Sequence, residues 1–137
     1  MPSKDQMDEL FAQARKAAEA AYAPYSKFRV GAALLCEDKS IVVGCNVENR
    51  SYGLTVCAER NAVFAAVALG KRRFIALAIS TPDSVESVGP CGACRQVLSE
   101  FMAPDSPVRF AGSGPGQVNT TIGELLPWDS LHDLAKT

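Results

Sequence analysis

The sequence predicts an α/β fold in which helices cover both faces of a sheet, and three observations predict it. Five apolar stretches carry strand patterns, over residues 28–36, 41–47, 74–80, 108–111 and 118–121. Helical periodicity fills much of the chain between them, giving the order α-β-β-α-β-α-β-β, that of an α/β sandwich. The 137 residues are 47% hydrophobic and 21% charged, enough for one buried core and too few for two. A single domain over residues 1–137 is therefore expected.

The elements follow in order. Ser3 is placed to cap the first helix, with Gln6 three residues on as its capping-box partner. Met7, Leu10, Phe11, Ala14, Ala17, Ala18 and Ala21 recur at helical spacing, and Pro24 is expected to end the run. Two apolar stretches around Glu37-Asp38-Lys39-Ser40 predict a β-hairpin. Within it, Gly31 and Gly44 mark bulges or close backbone approaches. Asn46-Val47-Glu48-Asn49 opens a loop that runs through Gly53. A second helix is expected over 58–69, with Gly70 as its stop. After the buried-strand pattern at 74–80, residues 81–90 read as a loop. A third helix over 91–102 presents Val97, Leu98 and Phe101, and Thr121 with Glu124 caps a last short one.

Composition excludes several classes. Lysine and arginine total 14 against 15 acidic residues, a formal net charge of −1, which argues against a nucleic-acid partner. No stretch approaches the ~20 apolar residues of a membrane span. The N-terminal MPSKDQMDEL lacks the apolar run of a signal peptide, so a cytoplasmic location is expected. Five cysteines (36, 45, 57, 91 and 94) disfavour a disulfide framework and favour metal or thiol chemistry.

The chemistry concentrates in Cys57-Ala58-Glu59 and, thirty residues later, Pro90-Cys91-Gly92-Ala93-Cys94. Both halves fall at a predicted helix start, where unpaired N–H groups and the macrodipole favour thiolates. Cys91 and Cys94 can grip one ion from a single helical turn, and Cys57 can supply a third sulfur. Three such ligands suit Zn²⁺ and leave its fourth position for water, whose pKa then falls toward ~7. Glu59, two residues past a ligand, can move that water's proton without binding the metal, a role worth roughly 10²–10⁴-fold. Zinc nucleobase deaminases pair these same parts. Three thiolates over-neutralise the ion, and Arg60 is the candidate to offset that charge, with Arg95 second. Taken alone, Cys91-x-x-Cys94 is also compatible with a redox pair or half a structural zinc site. Cys36, Cys45 and His132 are the candidates for a fourth ligand, although the first two read as small core residues.

With these residues in place, the chain resembles the small, tetramer-forming cytidine deaminases of pyrimidine salvage. PYSKFRVGAALL, GCNVEN, CAERNAV, PCGACRQV and ELLP carry the resemblance, in that order, from about residue 24 to 127. It implies a three-layer α/β/α sandwich with a mixed five-stranded sheet. It assigns one zinc per subunit to Cys57, Cys91 and Cys94, and proton transfer to Glu59. Phe28 would stack on the pyrimidine, Asn46 and Glu48 would bind the ribose 3′-hydroxyl, and the Ala58 backbone would meet the base or reacting oxygen. Tyr52 would reach a nucleoside in a neighbouring subunit of a homotetramer with shared active sites. The implied activity is hydrolysis of cytidine and deoxycytidine to uridine and deoxyuridine. The tail departs from the family pattern: Ser130 stands where an aromatic lid is common, with Trp128 as the available substitute. A deaminase of an aminated nucleoside antibiotic is the alternative enzyme, and a non-catalytic zinc module the alternative class.

Overall fold

In the computed structural model, which describes residues 1–129 and 131, Ser3 opens the first helix with a full capping box. Its hydroxyl accepts the Gln6 amide at 3.1 Å while its own amide donates to Gln6 Oε1 at 2.8 Å. This helix, α1 (Lys4–Ala18), buries Met7, Leu10, Ala14 and Ala18. It stops well before Pro24, and the cause is competition for backbone. The Tyr22 amide donates to the Asn46 carbonyl and the Tyr22 carbonyl accepts from Glu48, which draws the chain out of the helix.

The hairpin pairs β1 (Gly31–Cys36) with β2 (Ile41–Cys45). Then come α2 (Ala58–Ala68), β3 (Phe74–Thr81), α3 (Gly92–Phe101), β4 (Pro107–Gly112), β5 (Val118–Thr121) and the short α4 (Ile122–Leu125). Gly70, at φ +86°, ends α2 in the left-handed conformation that its sequence position predicts. Strand order is β2-β1-β3-β4-β5, antiparallel except for the parallel β3–β4 pair that α3 bridges, so the sheet is mixed.

Every residue of β1 is buried because both faces of the sheet are covered. Ala32, Leu34 and Cys36 pack with α2 and α3, while Ala33 and Leu35 face α1 with Met7, Leu10 and Ala14. A register shift beside Leu35 and Cys36 lets Phe74 and Leu77 share the α2–α3 side. The architecture is the three-layer sandwich that the resemblance implies. Among the described residues, no helix is long and apolar enough to cross a membrane.

Two glycines set the spacing of helices on the sheet. A Cβ at Gly31 would lie 1.9 Å from the Ala14 carbonyl oxygen, so α1 rests on bare backbone. At Gly44 a Cβ would lie 2.4 Å from the Ala62 nitrogen and 2.7 Å from the Ala58 oxygen, so α2 does the same on β2. The Asn61 side chain adds bonds to the carbonyls of Cys45 and Val56, at 2.9 and 3.3 Å. Gly44→Ala should therefore lower unfolding free energy by about 1–3 kcal/mol, the usual range for overpacking. Gly53→Ala, where a Cβ meets nothing within 4 Å, should change it by less than about 0.5 kcal/mol. Urea unfolding of the two variants checks the contrast, and equal midpoints would reject it.

Candidate active site

Cys57 and Cys91 occupy the N-cap positions of α2 and α3, both with extended backbone, and neither side chain caps its own helix. Their sulfurs instead approach each other to 3.8 Å. Cys94 adds a third from the first turn of α3, and all three sulfurs lie within 4.8 Å of one another. Tetrahedral ligands about 2.3 Å from one ion stand about 3.8 Å apart, so this donor set fits zinc. Among the described residues it is the only metal-competent group of three or more His, Cys, Asp or Glu side chains. Cys36 and Cys45 lie outside it, and His132 falls outside the described residues.

Charge at the centre is shared unequally. The Cys57 thiol is pulled down to about 5, first by a hydrogen bond from Cys94 and then, against burial, by Arg60. Cys94 moves upward, chiefly because its proton is held on the Cys57 sulfur and also because it is buried. Arg60 Nη2 donates to Cys57 Sγ at 3.4 Å, and its Nε is buried without a partner. Arg95 corrects the sequence expectation. Its Nε donates to the Pro90 carbonyl at 2.7 Å and its Nη1 to the Leu125 carbonyl at 3.0 Å, so it braces backbone rather than sulfur.

Glu59 is 4% exposed. Burial pushes its carboxyl up to about 7, with the nearby Cys57 charge adding to the shift. It lines a cavity of about 410 Å³ together with Cys57 and Cys91. Phe28, Asn46 and Glu48 line the same cavity, so sequence segments far apart converge there. A larger depression of about 530 Å³, lined by Cys36 and Lys71 among others, lies at the far end of α2 and includes none of the three ligand-type cysteines.

The wall bearing Phe28 is tightly braced. Glu48 Oε1 accepts from the amides of Tyr25 and Ser26 at 3.0 and 3.1 Å, and its Oε2 takes a short bond from the Ser26 hydroxyl. Ser26 Oγ accepts in turn from the Phe28 amide at 3.0 Å. Asn46 Oδ1 accepts from the Val30 amide and its Nδ2 donates to the Phe28 carbonyl, both at 2.8 Å. These bonds replace the ladder that would have begun β1 at residue 28, which is why the strand starts at Gly31. One amide hydrogen of Asn46 remains available. Arg29 fixes the outer side, with its amide and Nε donating to Asp83 Oδ2 at 2.9 Å and its Nη2 to Oδ1 at 2.7 Å. These bonds hold the Asp83 carboxyl down at about 2.

The other candidates separate from this cavity. Ala58 is buried in the first turn of α2. Tyr52, on the 3₁₀ turn Tyr52–Leu54, is 74% exposed, meets Tyr25 edge-on at 5.9 Å and does not line its own chain's cavity. Trp128 is 96% exposed, and Ser130 lies outside the described residues. Sequence reasoning missed Ser26, Thr55, Ile79, Thr81, Val88 and Gly89 as cavity residues. Ser26 sits inside a segment already singled out, whereas Thr81 read as the start of a loop and proves to be the end of β3.

Residues 4–109 match the family described as the cytidine and deoxycytidylate deaminase zinc-binding region. The cytidine deaminase of Sporosarcina psychrophila is 50% identical over 121 residues, covering 88% of each chain. The blasticidin-S deaminase of Bacillus cereus is 36% identical over 109 residues, 74% of this chain and 76% of that one. Among solved structures, cytidine deaminase from Burkholderia pseudomallei superposes with a TM-score of 0.84 at 46% identity, covering 88% of this chain and 96% of that one.

The depressed Asp83 pKa gives a signed prediction. Its contribution to stability is complete above the ordinary carboxylate range, near ~4, and disappears as pH falls through about 2. Asp83→Asn should therefore be less stable than wild type at pH 6, with the gap closing toward pH 2. Denaturant midpoints across that range test it, and a gap that persists at pH 2 would remove the ion pair as its cause.

Proposed function

We propose that this chain, which belongs to the cytidine and deoxycytidylate deaminase family, hydrolyses cytidine to uridine and ammonia, and deoxycytidine likewise. One observation carries the reading: the buried carboxyl of Glu59 shares a cavity with thiols able to hold a metal. Cys57, Cys91 and Cys94 would hold the zinc, which when bound would supply a water of pKa lowered toward ~7. Glu59 takes a proton from water, passes it to N3 of the base and later delivers a proton to the departing amine. Oxygen adds to C4 as N3 gains the first proton. The C4–N bond then breaks as C4=O forms, Glu59 carrying the added hydroxyl's proton to the amine, and the nitrogen leaves as ammonia. A carboxyl poised near neutrality suits both directions of transfer.

The remaining residues bind and orient. Phe28 offers an aromatic face to the pyrimidine. Asn46 and Glu48 meet the ribose 3′-hydroxyl with the hydrogen-bonding capacity that bracing leaves free. The Ala58 backbone faces the base, and Arg60 balances thiolate charge. The exposed Tyr52 ring supports a place at a neighbouring subunit's site, and with it a homotetramer with shared active sites. Five free cysteines suit the reducing cytoplasm, where nucleosides are salvaged. A second reading, deamination of an aminated nucleoside antibiotic, draws on the likeness to the Bacillus cereus blasticidin-S deaminase.

Ultraviolet monitoring of cytidine, with ammonia measured in parallel, tests the activity. A chelator should abolish it and added zinc should restore it. Glu59→Gln should keep its zinc by metal analysis and lose about 10²–10⁴-fold in turnover. Full activity in that variant would remove Glu59 from the chemistry. Cytidine should react far faster than free cytosine, since equal rates would contradict the sugar roles of Asn46 and Glu48. Blasticidin S turned over in preference to cytidine would favour the second reading.

A further inference from the structure

Thr81 ends β3, opposite Gly112 of β4. It is 2% exposed, and its hydroxyl oxygen is buried with no hydrogen-bond partner. Folded proteins leave few such groups, because an unmade hydrogen bond forfeits the solvation the group had in water. Among the described residues only Arg60 Nε and Asp129 Oδ2 share this condition, the first beside the thiols and the second in the tail. Thr81 belongs to the cavity of Glu59 and Phe28, on the strand face that also presents Ile79 there. Val30 and Val88 line the same cavity together with the polar Thr55 and Glu59, and none of these bonds the hydroxyl. On the Phe28 wall, by contrast, Ser26, Asn46 and Glu48 are already engaged with one another or with backbone.

We propose that Thr81 is a specificity-determining residue, whose hydroxyl completes its hydrogen bonding with a polar atom on the edge of the bound pyrimidine. This assignment rests on the reading of the cavity as a nucleoside site. A hydroxyl both donates and accepts, so it can serve a ring carbonyl, a ring nitrogen or an exocyclic amine. The oxygen is buried as it stands, so the contact requires it to turn about χ1 to another staggered well, a motion that leaves the strand in place. The stacking face of Phe28 is indifferent to substituents on the ring edge, whereas a buried hydroxyl with no protein partner discriminates among them.

Thr81→Val keeps the shape and removes the hydroxyl, and Thr81→Ser keeps the hydroxyl. The valine variant should melt at the wild-type temperature or above it, since no protein partner is lost. Its KM for cytidine should rise about tenfold, and serine should restore KM to within about twofold of wild type. A valine variant that melts lower would show the hydroxyl to be satisfied within the protein, and would overturn the proposal. Unchanged KM and kcat would overturn it too. Wild-type turnover of cytidine judges the parent reading separately: an inactive wild type sinks that reading, while an active one with indifferent Thr81 variants sinks only this inference.

Discussion

Two helix starts held in sulfur-to-sulfur contact are the constraint on which the rest of this molecule depends. Cys57 and Cys91 stand 34 residues apart in sequence and 3.8 Å apart in space. That closeness requires α2 to lie flat on β2, which only a residue without a side chain at position 44 permits. It also requires the loop of residues 82–91 to bring the start of α3 back over the end of β3 before the chain crosses to the parallel β4. Open α/β sheets place their ligand crevices beyond the carboxyl ends of strands, where helix N-termini gather. Here that crevice gathers two such termini and Arg60, a concentration of positive potential that makes three thiols tolerable side by side.

Glu59 owes its character to the same packing. The turn that presents Cys57 to its partners turns the next-but-one side chain inward, where water is scarce and the charged form is disfavoured. A metal-competent thiol and a buried carboxyl are thus set by a single helical start. A carboxyl at the surface two residues further on would have an ordinary acidity and little capacity to return a proton. The spacing of C-x-E therefore encodes an environment as well as a distance.

Much of this was legible in the sequence where a residue's local chemistry points one way. Ser3 and Gln6 could form a capping box, and did. Gly31 and Gly44 interrupted apolar strands at a cost that close backbone contact explains. The cysteine spacing announced a metal, and the flanking segments announced a fold. Reading failed where a partner distant in sequence decides the outcome. Nothing near Tyr22 says that Asn46 and Glu48 will take its backbone and end α1 early. Nothing near Arg95 says that its Nη1 reaches the Leu125 carbonyl, thirty residues on, rather than sulfur. Thr81 looked like loop because it opens a stretch rich in Ser, Pro and Gly, although pairing with β4 carries the strand one residue further.

The wall around Phe28 is braced by the same side chains that are proposed to meet the sugar. Asn46 and Glu48 spend most of their hydrogen bonds on residues 25–30, with Arg29 and Asp83 clamping the outer side. A loop free to move would have to be ordered by its ligand, at about 0.5–1.5 kcal/mol for each side chain immobilised. Folding has already met that cost here, because the backbone of the loop is bonded in place independently of any ligand. The residual capacity of Asn46 and Glu48 therefore has a fixed direction, and a ligand must match it. On the proposed reading, selectivity follows from rigidity: a ring with no sugar leaves those groups unanswered, and the wall cannot close to compensate.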